Sequence, residues 1–189
     1  MKSAVLVNGV PASGKSSVAR VISEATGWPL LTLDTIKEAH FAHLGTGDRD
    51  YNRKLGKASY QAMFALIKDF PPNAGVVVDA WFGFQSLEVL QGHIQNAGID
   101  KLAEVWCHAP AETIGARYLA RTANRSEGHL GPEYVPELIE LAGRAKATGL
   151  FPIVEVDTSQ PVPIATILDR LRVLLTTKRI VNQVTWSRL

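Results

Sequence analysis

Residues 9–16 read Gly9-Val10-Pro11-Ala12-Ser13-Gly14-Lys15-Ser16 and fit G-x-x-x-x-G-K-[ST], the spacing of a phosphate-binding loop. The apolar run Ala4-Val5-Leu6-Val7 precedes the loop, and a segment of helical period, Ser16 to Thr26, follows it. Phosphate charge needs convergent donors. Glycines let backbone N–H groups turn inward, and the N-terminus of the next helix adds its dipole. In this arrangement Gly9, Pro11, Ala12, Ser13, Gly14 and Ser17 enclose the phosphates, Lys15 reaches the β- and γ-phosphates, and the Ser16 hydroxyl ligates Mg²⁺. The competing reading is a glycine-rich turn that only caps the helix.

Outward from the loop, apolar runs alternate with helical segments. The runs 4–7, 29–33, 75–78, 102–106 and 153–156 are short and rich in Val, Leu and Ile, as strands buried on both faces are. Helical segments are expected at 16–26, 35–44, 53–70, 85–96, 111–121, 134–148 and 163–176. The alternation predicts an α/β fold, a parallel sheet with helices on both faces. Residues 122–132 are polar and contain Gly128 and Gly131, which marks a loop over the site.

Two carboxylates end apolar runs. Val76-Val77-Val78-Asp79 has the form of a Walker B strand, whose carboxylate holds Mg²⁺; the alternative is an Asp that starts a turn or caps the next helix. Asp34 follows Pro29 to Leu33, at the carboxyl end of a second strand, where open α/β sheets bind ligands. There it could serve as the base for an acceptor hydroxyl, or as the N-cap of the helix at 35–44. Arg117, Arg121 and Arg125 recur every four residues. They either close over a transferring phosphate or form a solvated face paired with Glu112 and Glu127.

The chain has 189 residues, 46% hydrophobic and 20% charged, with a formal charge of +2. This predicts one soluble domain over 1–178 with a lid near 121–134 and a C-terminal tail at 179–189, where Trp186 favours packing. Twenty basic against eighteen acidic side chains argue against a nucleic-acid partner. The single cysteine, Cys107, excludes an intrachain disulfide and fits a cytoplasmic setting. No apolar run approaches the roughly 20 residues of a membrane span.

Residues 9–17, Asp34 with Lys37, Asp79, the stretch from Arg117 to Arg125 and the segment Val154 to Ser159 together resemble the P-loop small-molecule kinases. That group includes chloramphenicol phosphotransferase, gluconate kinase, shikimate kinase and the zeta toxins. The resemblance implies a nucleoside-monophosphate-kinase-like fold with strand order 2-3-1-4-5, ATP and Mg²⁺ on the first loop, and a lid after the fourth strand. It also implies Asp34 as the acceptor-side Asp, Arg121 or Arg125 as lid arginines, Arg117 on the nucleotide, and Thr158 beside the adenine. Lys37 departs from the pattern, since several of these kinases carry Arg three residues after the acceptor-side Asp.

The expected reaction is transfer of the γ-phosphoryl to a hydroxyl of a small molecule by a monomer or homodimer. The acceptor is expected between the helix after Asp34 and the segment after Asp79, against Lys37, His40, Trp81 and Phe82. The aromatics suggest an acceptor with an apolar or flat face, or else simply core. His108 or His129 are candidate phosphate contacts. Rival readings are a toxin-like or polynucleotide kinase and a nucleotide-dependent regulator, and no motif separates ATP from GTP as donor.

Overall fold

The computed structural model describes residues 1–176. The expected tail at 179–189, with Trp186, lies outside the described residues. Five parallel strands, β1 (Lys2–Asn8), β2 (Leu30–Thr32), β3 (Gly75–Ala80), β4 (Ile99–His108) and β5 (Ile153–Asp157), form one sheet in the order β2-β3-β1-β4-β5. The order matches the expectation drawn from the resemblance. Seven helices alternate with the strands among the described residues: α1 (Lys15–Thr26), α2 (Leu33–Leu44), α3 (Arg49–Lys68), α4 (Leu87–Asn96), α5 (Ala111–Thr122), α6 (Val135–Arg144) and α7 (Ile164–Thr176).

Alternate residues of the strands feed opposite cores, as the period of two requires. Ala4, Leu6, Val76 and Val78 pack against Met63, Phe64 and Ile67 of α3 and Leu90 and Ile94 of α4. Val5, Val7, Val77 and Val105 pack against Val18 and Ile22 of α1 and Ile167 and Leu171 of α7. A third cluster joins Val10 and Ala12 of the phosphate loop to Ile114 and Tyr118 of α5 and Leu138 of α6. The loop therefore rests on α5 and α6.

Several boundaries differ from the sequence reading, most of all the start of α3 and the end of α6. Helix α3 starts at Arg49, four residues before the expected start at 53, because the Asp48 side chain accepts from Tyr51 N at 2.8 Å. Helix α6 stops at Arg144, where Ala145 turns to extended backbone with ψ 143°.

Candidate active site

The loop after β1 is shaped by residues with unusual backbone. Gly14 (φ 80°) and Ala12 (φ 65°) both lie in the left-handed region. A Cβ on Gly9 would sit 2.5 Å from the Cys107 carbonyl oxygen and closer still to Ser13 Oγ, so the close turn at this position requires glycine. Ser13 is fully buried, its N–H donates to Val10 O at 3.1 Å, and its Oγ has no partner. Lys15 Nζ folds back toward Val10 O at 3.5 Å.

Asp79, the fifth residue of β3, is 4% exposed. Burial pushes its pKa above the usual carboxylate range, against the pull of Lys15 and the Ser16 hydroxyl. Its buried Oδ1 has no hydrogen-bond partner. An orphaned carboxylate oxygen beside Ser16 suits a divalent cation, which would restore the ionised form that burial disfavours. Among the described residues no three His, Cys, Asp or Glu side chains cluster to hold a metal.

Asp34 occupies the first turn of α2, but the cap is Thr32, whose Oγ1 accepts from Thr35 N at 3.1 Å. The carboxylate is thereby free of the capping role and faces the cavity, with 54% of its side-chain surface accessible. Burial by the surrounding protein would raise its pKa, but Lys15, Arg125, His129 and Lys37 together outweigh this and hold it below the usual range. Arg125 Nη2 lies 3.3 Å from Asp34 Oδ2.

The arginines separate. Helix α5 ends at Thr122, and successive four-residue steps rotate around it. Arg117 turns to the β5 side, where Nη1 donates to Thr158 Oγ1 at 3.0 Å and Nη2 to Thr158 O at 2.8 Å. Thr158 Oγ1 in turn donates to Ser13 O at 2.8 Å, so Arg117 and Thr158 brace the back of the phosphate loop. Arg121 and Arg125 both lie over the Tyr118 ring, 5.2 and 5.4 Å from its centroid, and line the cavity. Arg121 Nε is buried without a partner. Neither arginine pairs with Glu112 or Glu127 among the described residues.

These groups surround a cavity of about 380 Å³. Pro11, Lys15, Ser16, Asp34, Asp79 and Arg121 line it, together with Lys37, Arg53, Trp81, Phe84, His129 and Tyr134. Two expected acceptor contacts are elsewhere. Phe82 is 2% exposed and packs edge-on against Tyr60, because its N–H is tied to Asn8 Oδ1 at 3.0 Å and turns the ring into the core. His40 faces α3, with Nδ1 3.2 Å from Ser59 Oγ. Of the candidate histidines, His129 lines the cavity with Nε2 2.8 Å from Glu38 Oε1, whereas His108 contributes its carbonyl to Thr158. Sequence reasoning missed Glu104 as the anchor of Asn8 (Nδ2 to Oε1, 2.6 Å). A charge inside the otherwise apolar run 102–106 was the available signal.

The family model described as AAA domain matches residues 5–138. No curated protein sequence matches the chain significantly. Among solved structures, a provisionally assigned kinase from Chloroflexus aurantiacus is 21% identical over 92% of this chain and 98% of its own, with TM-score 0.74. A gluconokinase from Sinorhizobium meliloti is 24% identical over 92% and 91%, with TM-score 0.58. A deoxyadenosine kinase from M. mycoides is 17% identical over 92% and 100%, with TM-score 0.57. The chain belongs to the AAA domain family, and its fold is that of the P-loop small-molecule kinases.

Proposed function

We propose that this protein is an ATP-dependent kinase that transfers the γ-phosphoryl group to a hydroxyl of a small molecule. The observation that carries the reading is the position of Asp34. It is a carboxylate held anionic by cations, facing the same cavity as Lys15 and Ser16 of the phosphate loop, and not used as the helix cap. A nucleotide site alone needs no second carboxylate on this side. An acceptor hydroxyl does, because its proton must leave as the phosphoryl arrives.

The loop N–H groups and Lys15 hold the phosphates in this reading, and Ser16 and Asp79 hold Mg²⁺. When bound, Mg²⁺ supplies neutralisation of charge on the β- and γ-phosphate oxygens. Asp34 orients the acceptor hydroxyl and takes its proton. Arg121 and Arg125, stacked on Tyr118, offset charge developing on the transferring group and exclude water. Arg117 and Thr158 support the loop from the nucleoside side.

The test is ADP release from Mg-ATP across hydroxyl acceptors, with Lys15→Ala and Asp34→Asn run beside the wild type. We expect Lys15→Ala to abolish transfer. Asp34→Asn should lower acceptor-dependent turnover by about 10²-fold or more while leaving ATP affinity and melting temperature near wild type. Near-normal turnover in folded Lys15→Ala, or ATP binding with no stimulation by any acceptor, would refute the proposal.

A further inference from the structure

Asp34, Glu38 and Phe41 follow one another on α2 at steps of four and three residues, the spacing of a single helix face. Arg125 and His129, in the loop after α5, are also four residues apart. The structure matches the two series. Arg125 Nη2 donates to Asp34 Oδ2 at 3.3 Å, and His129 Nε2 lies 2.8 Å from Glu38 Oε1. The His129 ring stands perpendicular to that of Phe41, with centroids 5.7 Å apart. Gly128, just before it, closes on the end of α2: it holds φ 92°, and a Cβ there would meet Thr46 Cγ2 at 2.8 Å and the Phe41 ring at 2.9 Å. Gly128 O accepts from Asn52 Nδ2 of α3. Tyr118 of α5 ties the same loop from its own helix, donating to Leu130 O at 2.6 Å and accepting from Arg125 Nη1 at 3.1 Å.

The two pairs differ in strength. The Arg125–Asp34 contact is long, and more than half of the carboxylate's surface is open to water, where a single ion pair contributes little. His129 is 5% exposed, and burial together with Arg125 and Lys37 lowers its pKa against the pull of Asp34 and Glu38. The neutral imidazole donates its Nε2–H to a carboxylate, a charge-assisted bond in a drier setting. With the ring on Phe41 and the close seat of Gly128, this bond is the firmer anchor of the loop on α2. Glu38, unlike His129, is not among the described residues that line the cavity.

We infer that Glu38 is a positioning residue for phosphoryl transfer that acts through His129: their contact seats the loop on α2 and so holds Arg125 at Asp34. The inference rests on the proposed kinase function, in which Asp34 takes the acceptor proton and Arg125 offsets charge on the transferring group. Asp34 and Glu38 share one helix, and Arg125 and His129 share one loop. The base and the arginine therefore keep their register while the second pair holds. Without it, Arg125 retains Tyr118 but loses its fixed approach to Asp34.

The experiment measures ADP release with gluconate and deoxyadenosine as hydroxyl probes, beside trypsin cleavage after Arg125 in the nucleotide-free proteins, followed by mass spectrometry. It compares wild type, Glu38→Ala, Glu38→Gln and Gly128→Ala. Glu38→Gln keeps an oxygen that accepts from His129, and Gly128→Ala wedges the loop from α2 without removing a polar group. We expect Glu38→Ala and Gly128→Ala to lower acceptor-dependent kcat by about 10-fold or more, with ATP KM within about twofold of wild type and melting temperatures near it. Glu38→Gln should stay within about threefold of wild type. Cleavage after Arg125 should be at least about fivefold faster in the two alanine variants than in wild type and Glu38→Gln. Adding His129→Ala to Glu38→Ala should cost little more, since the two residues act as a unit. Wild-type kcat in both alanine variants, unchanged cleavage, or losses that multiply in the double variant would overturn the inference and leave the kinase reading standing. Faster cleavage in the alanine variants, with neither probe phosphorylated by wild type, would count against the kinase reading and the role in transfer, while the seating of the loop on α2 by Glu38 would stand.

Discussion

Ala12 holds φ 65° although it carries a Cβ, a conformation that costs of order 1 kcal/mol for a non-glycine residue. It persists because Ala12 is buried with Val10 against Ile114 and Tyr118, so packing of the third core supports the loop geometry. Strain and phosphate site thus coincide at one residue. Cys107 sits behind the same loop, and its own carbonyl is the atom that Gly9 approaches. Burial pushes its thiol up to about 12, with Lys15 opposing and Asp79 reinforcing. The thiol is therefore protonated throughout the neutral range. We expect iodoacetamide at pH about 8 to leave native Cys107 unmodified and to label it once the chain is unfolded. Rapid labelling of the native protein, followed by mass spectrometry, would contradict this environment.

At the scale of elements, helix ends decide where the site groups point. Thr32 caps α2 and leaves Asp34 to the cavity, while Asp48 caps α3 and brings Arg49 and Arg53 onto a helix. The opposite ends are held by a buried lysine. Lys2 Nζ donates to Ile67 O at 2.6 Å, Lys68 O at 3.0 Å and Ala97 O at 2.9 Å, so one ammonium satisfies the last carbonyls of α3 and the end of α4. It also meets the negative ends of both helix dipoles. Lys2→Met keeps the apolar stem and removes the ammonium donor from Lys68 O and Ala97 O, while Ile67 O keeps the Phe70 N–H at 3.1 Å. We expect a loss of about 2–4 kcal/mol in denaturant melts. A loss below about 0.5 kcal/mol would mean that water replaces the ammonium at these carbonyls.

Across the whole molecule, one buried network links the centre of the sheet to the segment 81–84, whose Trp81 and Phe84 line the cavity. Glu104 is fully buried on β4, accepts from Asn8 Nδ2 on β1, and accepts from Thr148 N at 3.0 Å and from Thr148 Oγ1. Asn8 Oδ1 then receives the Phe82 N–H. Glu104→Gln puts a donor where Thr148 donates, so we expect about 2 kcal/mol of destabilisation and a raised acceptor KM, read by melts and by turnover. An unchanged KM would confine the network to folding. Arg125 with Asp34, His129 with Glu38 and Arg49 with Glu137 join the loop after α5, and α6, to α2 and α3. The strands, their order by resemblance, the phosphate loop and the two strand-end carboxylates were legible in the sequence, because apolar period and loop spacing are local properties of the chain. The direction of Phe82 and His40, the parting of Arg117 from Arg121 and Arg125, and the pairing of His129 with Glu38 were not. Each depends on partners distant in sequence: Asn8 for Phe82, Ser59 for His40, Thr158 for Arg117, Glu38 for His129. Local pattern thus determined the fold class and the turn after β1. Only tertiary packing, which sets which buried donors find acceptors, decided which side chains line the cavity.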